Sequence, residues 1–213
     1  MGTSGTSVPE GHPSIWTPAN IVTCVRIVFI PVFMVLCDLS YNNGSGQVSV
    51  GLAFAAFVLY MVLSLTDKVD GYLARSRHEI TDFGKFLDPI ADKLLVFSAL
   101  LLLMDIGYVN LWFVFIILVR EFLVSALRMV ASAAGVVIAA DKLGKAKTAV
   151  TMVAVCAYLF TFALSAAAGA TGLAASLASW LLLISDALMI AAVVLTVVSG
   201  IQYFWNGRSV IFS

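Results

Sequence analysis

Residues 64–95 read SLTDKVDGYLARSRHEITDFGKFLDPIADKLL, and the rest of the chain is best understood outward from them. The stretch carries Asp67, Asp70, Asp88 and Asp92 at the edges of two apolar runs, joined by a short charged link near 76–83. On helices turning about 100° per residue, Asp67, Asp70, Gly71, Ala74 and Arg75 share about 140° of one face. Gly84, Asp88 and Asp92 share about 80° of the next. The shortness of the link predicts antiparallel neighbours whose acidic faces can meet.

Four carboxylates gathered at a membrane border repel one another and lose hydration. Something positive must sit among them. Oxygen ligands with no His or thiolate partner suit a hard cation such as Mg²⁺ or Mn²⁺. Four of them can hold two ions roughly 3.5–4 Å apart, an arrangement that serves displacement at phosphorus. Gly71, Ala74 and Gly84 leave room beside such a cluster for a bulky ligand, although tight helix packing also selects small residues. Ordinary solvated aspartates at helix ends would account for the charges but not for their shared faces.

The surroundings place this cluster at a bilayer. The chain of 213 residues is 62% hydrophobic and 11% charged, with a mean hydropathy of +1.04. A soluble domain carries about a quarter charged residues, so the apolar excess faces something other than water. Six apolar runs lie near 20–38, 48–66, 90–106, 109–127, 146–168 and 176–205. Each approaches the roughly 20 residues that cross a bilayer as a helix, the form that satisfies its own amides in lipid. The expectation is an all-α integral membrane protein with six transmembrane helices in one domain over 16–213. Residues 1–15 lack the basic start and apolar middle of a signal peptide and read as a disordered tail. Thr17-Pro18 suits a helix start, and Trp16, Trp180 and Trp205 suit bilayer interfaces.

Basic residues set the orientation. The links near 39–47, 106–110 and 168–175 contain no Lys or Arg, and all twelve basic residues fall on the other side. By the positive-inside rule, both termini and the two charged links are cytoplasmic. The predicted location is therefore the inner (cytoplasmic) membrane, multi-pass, with the acidic cluster facing the cytoplasm.

A second basic block lies in Arg120-Glu121-Phe122-Leu123-Val124-Ser125-Ala126-Leu127-Arg128, which puts Arg120 and Arg128 about 80° apart on one helix. Lys142, Lys145 and Lys147 open the next helix, and Asn20, Thr23 and Arg26 lie on the first. These groups fall on the same side as the aspartates and suit a phosphorylated ligand, because guanidinium grips phosphate in bidentate fashion. Anchoring to anionic lipid heads is the other reading, above all for Lys142, Lys147 and Arg208.

The pattern Asp67-x2-Asp70-Gly71-x2-Ala74-Arg75-x8-Gly84-x3-Asp88-x3-Asp92 resembles the signature of the CDP-alcohol phosphotransferase family, with every defining position filled. The resemblance implies a six-helix core, two divalent ions (Mg²⁺ or Mn²⁺), CDP-diacylglycerol as donor and a homodimer. It implies Asp67, Asp70, Asp88 and Asp92 as metal ligands, with Asp92 also the catalytic base. Asp67, Gly71, Ala74, Arg75 and Gly84 would line the CDP pocket. The segments REFLVSALR and GKAKT, with Asn20-x2-Thr23-x2-Arg26, resemble the branch that forms phosphatidylglycerophosphate from glycerol 3-phosphate. Thr23, Arg26, Arg120, Arg128, Lys142 and Lys145 would then bind the acceptor phosphate. Inositol phosphate and phosphatidylglycerol are alternative acceptors within the family, and no nucleic-acid partner is expected.

An ion-coupled transporter is the rival from another class. It predicts charges near mid-bilayer and spans broken by Gly/Pro pairs, whereas here the charges cluster at one border. Cys24, Cys37 and Cys156 show no metal or disulfide spacing and read as small core residues. His78 reads as a solvated loop residue, and Asp105 as lying at the outer interface. Asp186, within the last run, has no explanation from sequence alone.

Overall fold

The computed structural model describes residues 17–42, 44, 47–76, 82–133, 142–168 and 172–211; within them the side chains of 19, 67–76, 82, 85, 133, 142, 168, 206, 207 and 209–211 lie outside the description. Six helices make up the described residues: α1 (Pro18–Tyr41), α2 (Val50–Ser76), α3 (Asp82–Asp105), α4 (Leu111–Ala133), α5 (Lys142–Ala168) and α6 (Leu173–Ile211). Among the described residues there is no strand.

Local chemistry fixes the helix ends. Thr17 caps α1, its hydroxyl accepting from the Asn20 amide at 3.3 Å, and Pro18 occupies the first turn, where a missing N–H costs nothing. At the far end of α3, Gly107 takes φ +84° and the Tyr108 amide turns back to the Leu103 carbonyl at 2.8 Å. Only glycine adopts that left-handed position without strain. Asn110 then starts α4, its side-chain oxygen accepting from the Trp112 amide at 2.9 Å.

Three helical segments, Asn20–Tyr41, Leu143–Ala167 and Leu173–Trp205, are long and apolar enough to cross a bilayer, and Val50–Thr66 is a shorter apolar stretch. The six apolar runs therefore became six helices, but not six uninterrupted apolar ones. In α3 the run is broken by Asp88, Asp92 and Lys93, and in α4 by Arg120, Glu121 and Arg128. α6 is longer than its run, at 39 residues, or about 58 Å.

Helix packing closes a ring in the order α1, α2, α5, α6, α4, α3. Its interior is apolar: Phe33, Tyr60, Leu95, Leu103, Ile117, Tyr158, Leu159 and Met189 are all buried in one cluster drawn from all six helices. The seam between α3 and α4 is the thinnest contact around the ring. α2 and α3, expected to face each other directly, touch little among the described residues, and α1 packs against both.

The two ends of the bundle differ. At one, Tyr108 meets Ser165 at 3.1 Å and the Ser49 amide donates to the Ser40 carbonyl at 2.8 Å. Exposed Asp105 sits at this same end. At the other lie the inter-helix bonds of Thr23, Lys93, Arg120, Arg128 and Lys147. The charge segregation read from the sequence is thus present in three dimensions.

Asp186 finds its explanation inside the bundle. The Tyr158 hydroxyl donates to its carboxylate at 2.6 Å, tying α5 to α6. The cysteines are free, with Cys37 buried and Cys24 and Cys156 half-buried, as small core residues should be.

Candidate functional site

α3 carries the two aspartates whose side chains are described. Asp88 and Asp92 stand one turn apart, so a single helix face presents both, and each is half-buried. The Thr23 hydroxyl donates to Asp88 Oδ1 at 2.8 Å. Gly84, one turn before Asp88, is buried. Asp67, Asp70, Gly71, Ala74 and Arg75 fall on the last turns of α2, with side chains outside the described residues. Among the described side chains, no group of three potential metal ligands gathers. An oxygen-only carboxylate pair one turn apart is nevertheless a donor set of the kind a hard cation takes.

A cavity of about 1150 Å³ lies among α2, α3, α4 and α5. Asp92 and Lys93 come from α3, Arg120, Glu121, Ser125 and Arg128 from α4, and Lys145 and Thr148 from α5. Its remaining wall is apolar, and Leu65, Phe86, Met129 and Val153 are exposed there at 55%, 66%, 71% and 55%. A volume above the roughly 300–1,000 Å³ of a drug-sized pocket, polar at one part and greasy at the rest, suits an amphiphile.

The basic wall is organised around a carboxylate. Glu121 Oε1 accepts from Arg120 Nη1 at 3.1 Å and pairs with Lys147, whose side chain is 5% exposed. A buried lysine needs such a partner. Lys93 bonds Ser125 across the seam. Beside them a second cavity of about 20 Å³, enough for one water, is bordered by Asp92, Glu121, Lys147 and Thr151.

The structure divides the expected acceptor residues. Arg120, Arg128 and Lys145 line the cavity, while Lys142 opens α5 with its side chain outside the described residues. Thr23 and Arg26 are both buried, at 0% and 1% exposed, on α1, which among the described residues packs against α2 and α3. Thr23 instead orients Asp88, because the face of α1 that carries it packs on the aspartate side. Lys147 is buried against Glu121, which removes it from lipid anchoring, whereas Arg208 is exposed and stacks over Trp205 at 4.6 Å. Glu121, Lys93, Ser125 and Tyr203 were not anticipated. Glu121 could have been, since a carboxylate inside an apolar run demands a cation partner. His78 lies outside the described residues.

Comparison with known proteins follows the same lines. Residues 16–198 match the family model described as CDP-alcohol phosphatidyltransferase. The chain is 40% identical over 189 residues to the CDP-diacylglycerol–glycerol-3-phosphate 3-phosphatidyltransferase of Bacillus subtilis (strain 168), covering 87% of this chain and 92% of that one. It is 39% identical over 193 residues to a protein of Mycobacterium tuberculosis (strain CDC 1551 / Oshkosh) named "Probable phosphatidylglycerophosphate synthase", covering 91% and 82%. With the 3-phosphatidyltransferase of Rickettsia typhi (strain ATCC VR-144 / Wilmington), identity is 35% over 185 residues, covering 87% and 93%.

Proposed function

The chain belongs to the CDP-alcohol phosphatidyltransferase family, a family of multi-pass membrane transferases, and from that premise we propose that it converts CDP-diacylglycerol and glycerol 3-phosphate into phosphatidylglycerophosphate and CMP. One observation carries the reading beyond family membership: Asp92 and a wall of arginines border the same amphiphilic cavity. A carboxylate beside a phosphate-gripping pair is what an alcohol bearing its own phosphate requires.

Each group then has a role. Arg120 and Arg128, with Lys145, hold the acceptor phosphate in the cavity. Asp92 accepts the proton of the attacking hydroxyl as it bonds to the phosphorus that carries diacylglycerol, and the bond from that phosphorus to CMP breaks. Thr23 steadies Asp88. Asp67, Asp70, Asp88 and Asp92 would hold two divalent ions, Mg²⁺ or Mn²⁺. When bound, such ions offset charge on the pyrophosphate and on departing CMP. Gly71, Ala74, Arg75 and Gly84, with Asp67, would accommodate the cytidine end. The apolar part of the cavity wall takes the acyl chains.

The membrane reading extends to all six helices. α3 and α4 are 24 and 23 residues long, about 35 Å each, and Asp92, Lys93, Arg120, Glu121 and Arg128 line the bundle's own cavity. Buried in protein, such groups do not forbid a crossing. Both termini and the site then face the cytoplasm from the inner membrane.

CMP release by the purified full-length protein in detergent tests the proposal, with glycerol 3-phosphate, inositol 1-phosphate and phosphatidylglycerol offered separately. Release with glycerol 3-phosphate, lost on EDTA treatment and restored by Mg²⁺ or Mn²⁺, is the expected outcome. Preference for another acceptor would move the chain within the family, and release untouched by EDTA would remove the ions.

A further inference from the structure

Two arginines enter the cavity from α4, yet the groups that hold them come largely from α6. Arg120 Nη2 donates to Ser199 Oγ at 3.0 Å, and Arg128 Nε donates to the Tyr203 hydroxyl at 2.7 Å. Ser199 and Tyr203 are one turn apart and buried, at 0% and 2% exposed. The Arg128 guanidinium also lies 5.2 Å from the centre of the Tyr203 ring.

Between these two residues lies Gly200. A Cβ there would stand 3.2 Å from Arg120 Cγ, closer than side chains normally approach. On the other side a Cβ at Gly144 of α5 would stand 3.5 Å from Arg120 Nη2. The Arg120 side chain thus runs through a slot with a glycine on each wall.

A long cationic side chain loses about 1.5–2 kcal/mol of rotamer freedom when fixed, so one geometry persists only where partners hold it. Here the bonds leave donors for a ligand. The Nη groups of Arg128 carry no hydrogen bond among the described residues, while its Nε is tied back to α6. Guanidinium grips phosphate through such fixed pairs of N–H groups.

We propose that α6 is the positioning element of the acceptor site: Ser199 and Tyr203 set the orientation of Arg120 and Arg128, and Gly200 keeps the slot open. The two guanidiniums then present a fixed spacing that selects a small phosphorylated alcohol. This rests on reading the cavity as the acceptor's.

Steady-state kinetics on the full chain in detergent test this, with KM measured for glycerol 3-phosphate and CDP-diacylglycerol in turn. Tyr203→Phe keeps the ring and removes the hydroxyl. It is expected to raise the glycerol 3-phosphate KM about fivefold to tenfold, the net worth of one ordinary hydrogen bond. The CDP-diacylglycerol KM and kcat should stay within about twofold. Ser199→Ala and Gly200→Ala should act in the same direction. Thr196→Val is the control: its buried hydroxyl donates to the Ala192 carbonyl at 2.6 Å and touches neither arginine. Equal rises in both KM values, no rise at all, or a Thr196→Val effect as large as that of Tyr203→Phe would overturn the proposal. If the wild type prefers a different phosphorylated alcohol, the choice of glycerol 3-phosphate fails, and the same KM comparison with that alcohol still decides the role of α6. If it uses no phosphorylated alcohol, both fall.

Discussion

Asp92 and Glu121 border the same cavity but serve different ends. Glu121 is committed to Arg120 and Lys147, so its charge is spent inside the protein. Asp92 is assigned the acceptor's proton. Asp92→Asn should therefore lower kcat by about a hundredfold or more, the usual contribution of a general base, while CDP-diacylglycerol binding persists in a direct binding measurement. Glu121→Ala should act on stability, since removing one partner of a buried pair costs about 3–5 kcal/mol. A lower thermal midpoint in detergent would register it, and an unchanged midpoint would mean that Lys147 needs no partner. Asp88, Asp92, Arg120 and Arg128 were legible in the sequence, because charge inside an apolar run is expensive and so marks itself. Ser199 and Tyr203 were not. Their partners lie 79 and 75 positions away, and periodicity tells which face a residue occupies but not which helix comes to meet it.

Among the helices, the apolar runs gave the number of elements but not their cytoplasmic-side bounds, where α2 ends ten residues beyond its run and α3 begins eight before its own. They did not give neighbour relations: nothing in the sequence of α1 told that it would pack against both α2 and α3. That arrangement puts Thr23 beside Asp88. The α5–α6 contact carries the Tyr158–Asp186 bond, and Tyr158→Phe leaves that carboxylate without its donor. A loss of about 1–3 kcal/mol is expected, read as a fall in thermal midpoint with both KM values unmoved. The α3–α4 turn depends on Gly107 at φ +84°. Gly107→Ala should cost about 1–2 kcal/mol, again without a kinetic effect, because this end of the bundle lies away from the cavity.

For the molecule as a whole, charge segregation sets a direction across the bilayer. In a background with Cys24, Cys37 and Cys156 replaced, Leu173→Cys should react with an impermeant thiol reagent applied outside intact cells. Ser132→Cys, at the opposite end of the bundle and exposed, should react only after the membrane is opened. The reverse pattern would invert the topology. The homodimer implied by the family resemblance is checked by native mass in detergent. The orientation was not written in any single motif; it depends on how the basic residues sum over the spans.

The thin α3–α4 seam has a kinetic consequence. A donor entering sideways through it never leaves the lipid phase, whereas the acceptor arrives dissolved in water. Turnover should then follow the surface mole fraction of CDP-diacylglycerol: diluting it with inert detergent at fixed bulk concentration would slow the enzyme, and adding micelles of unchanged composition would not.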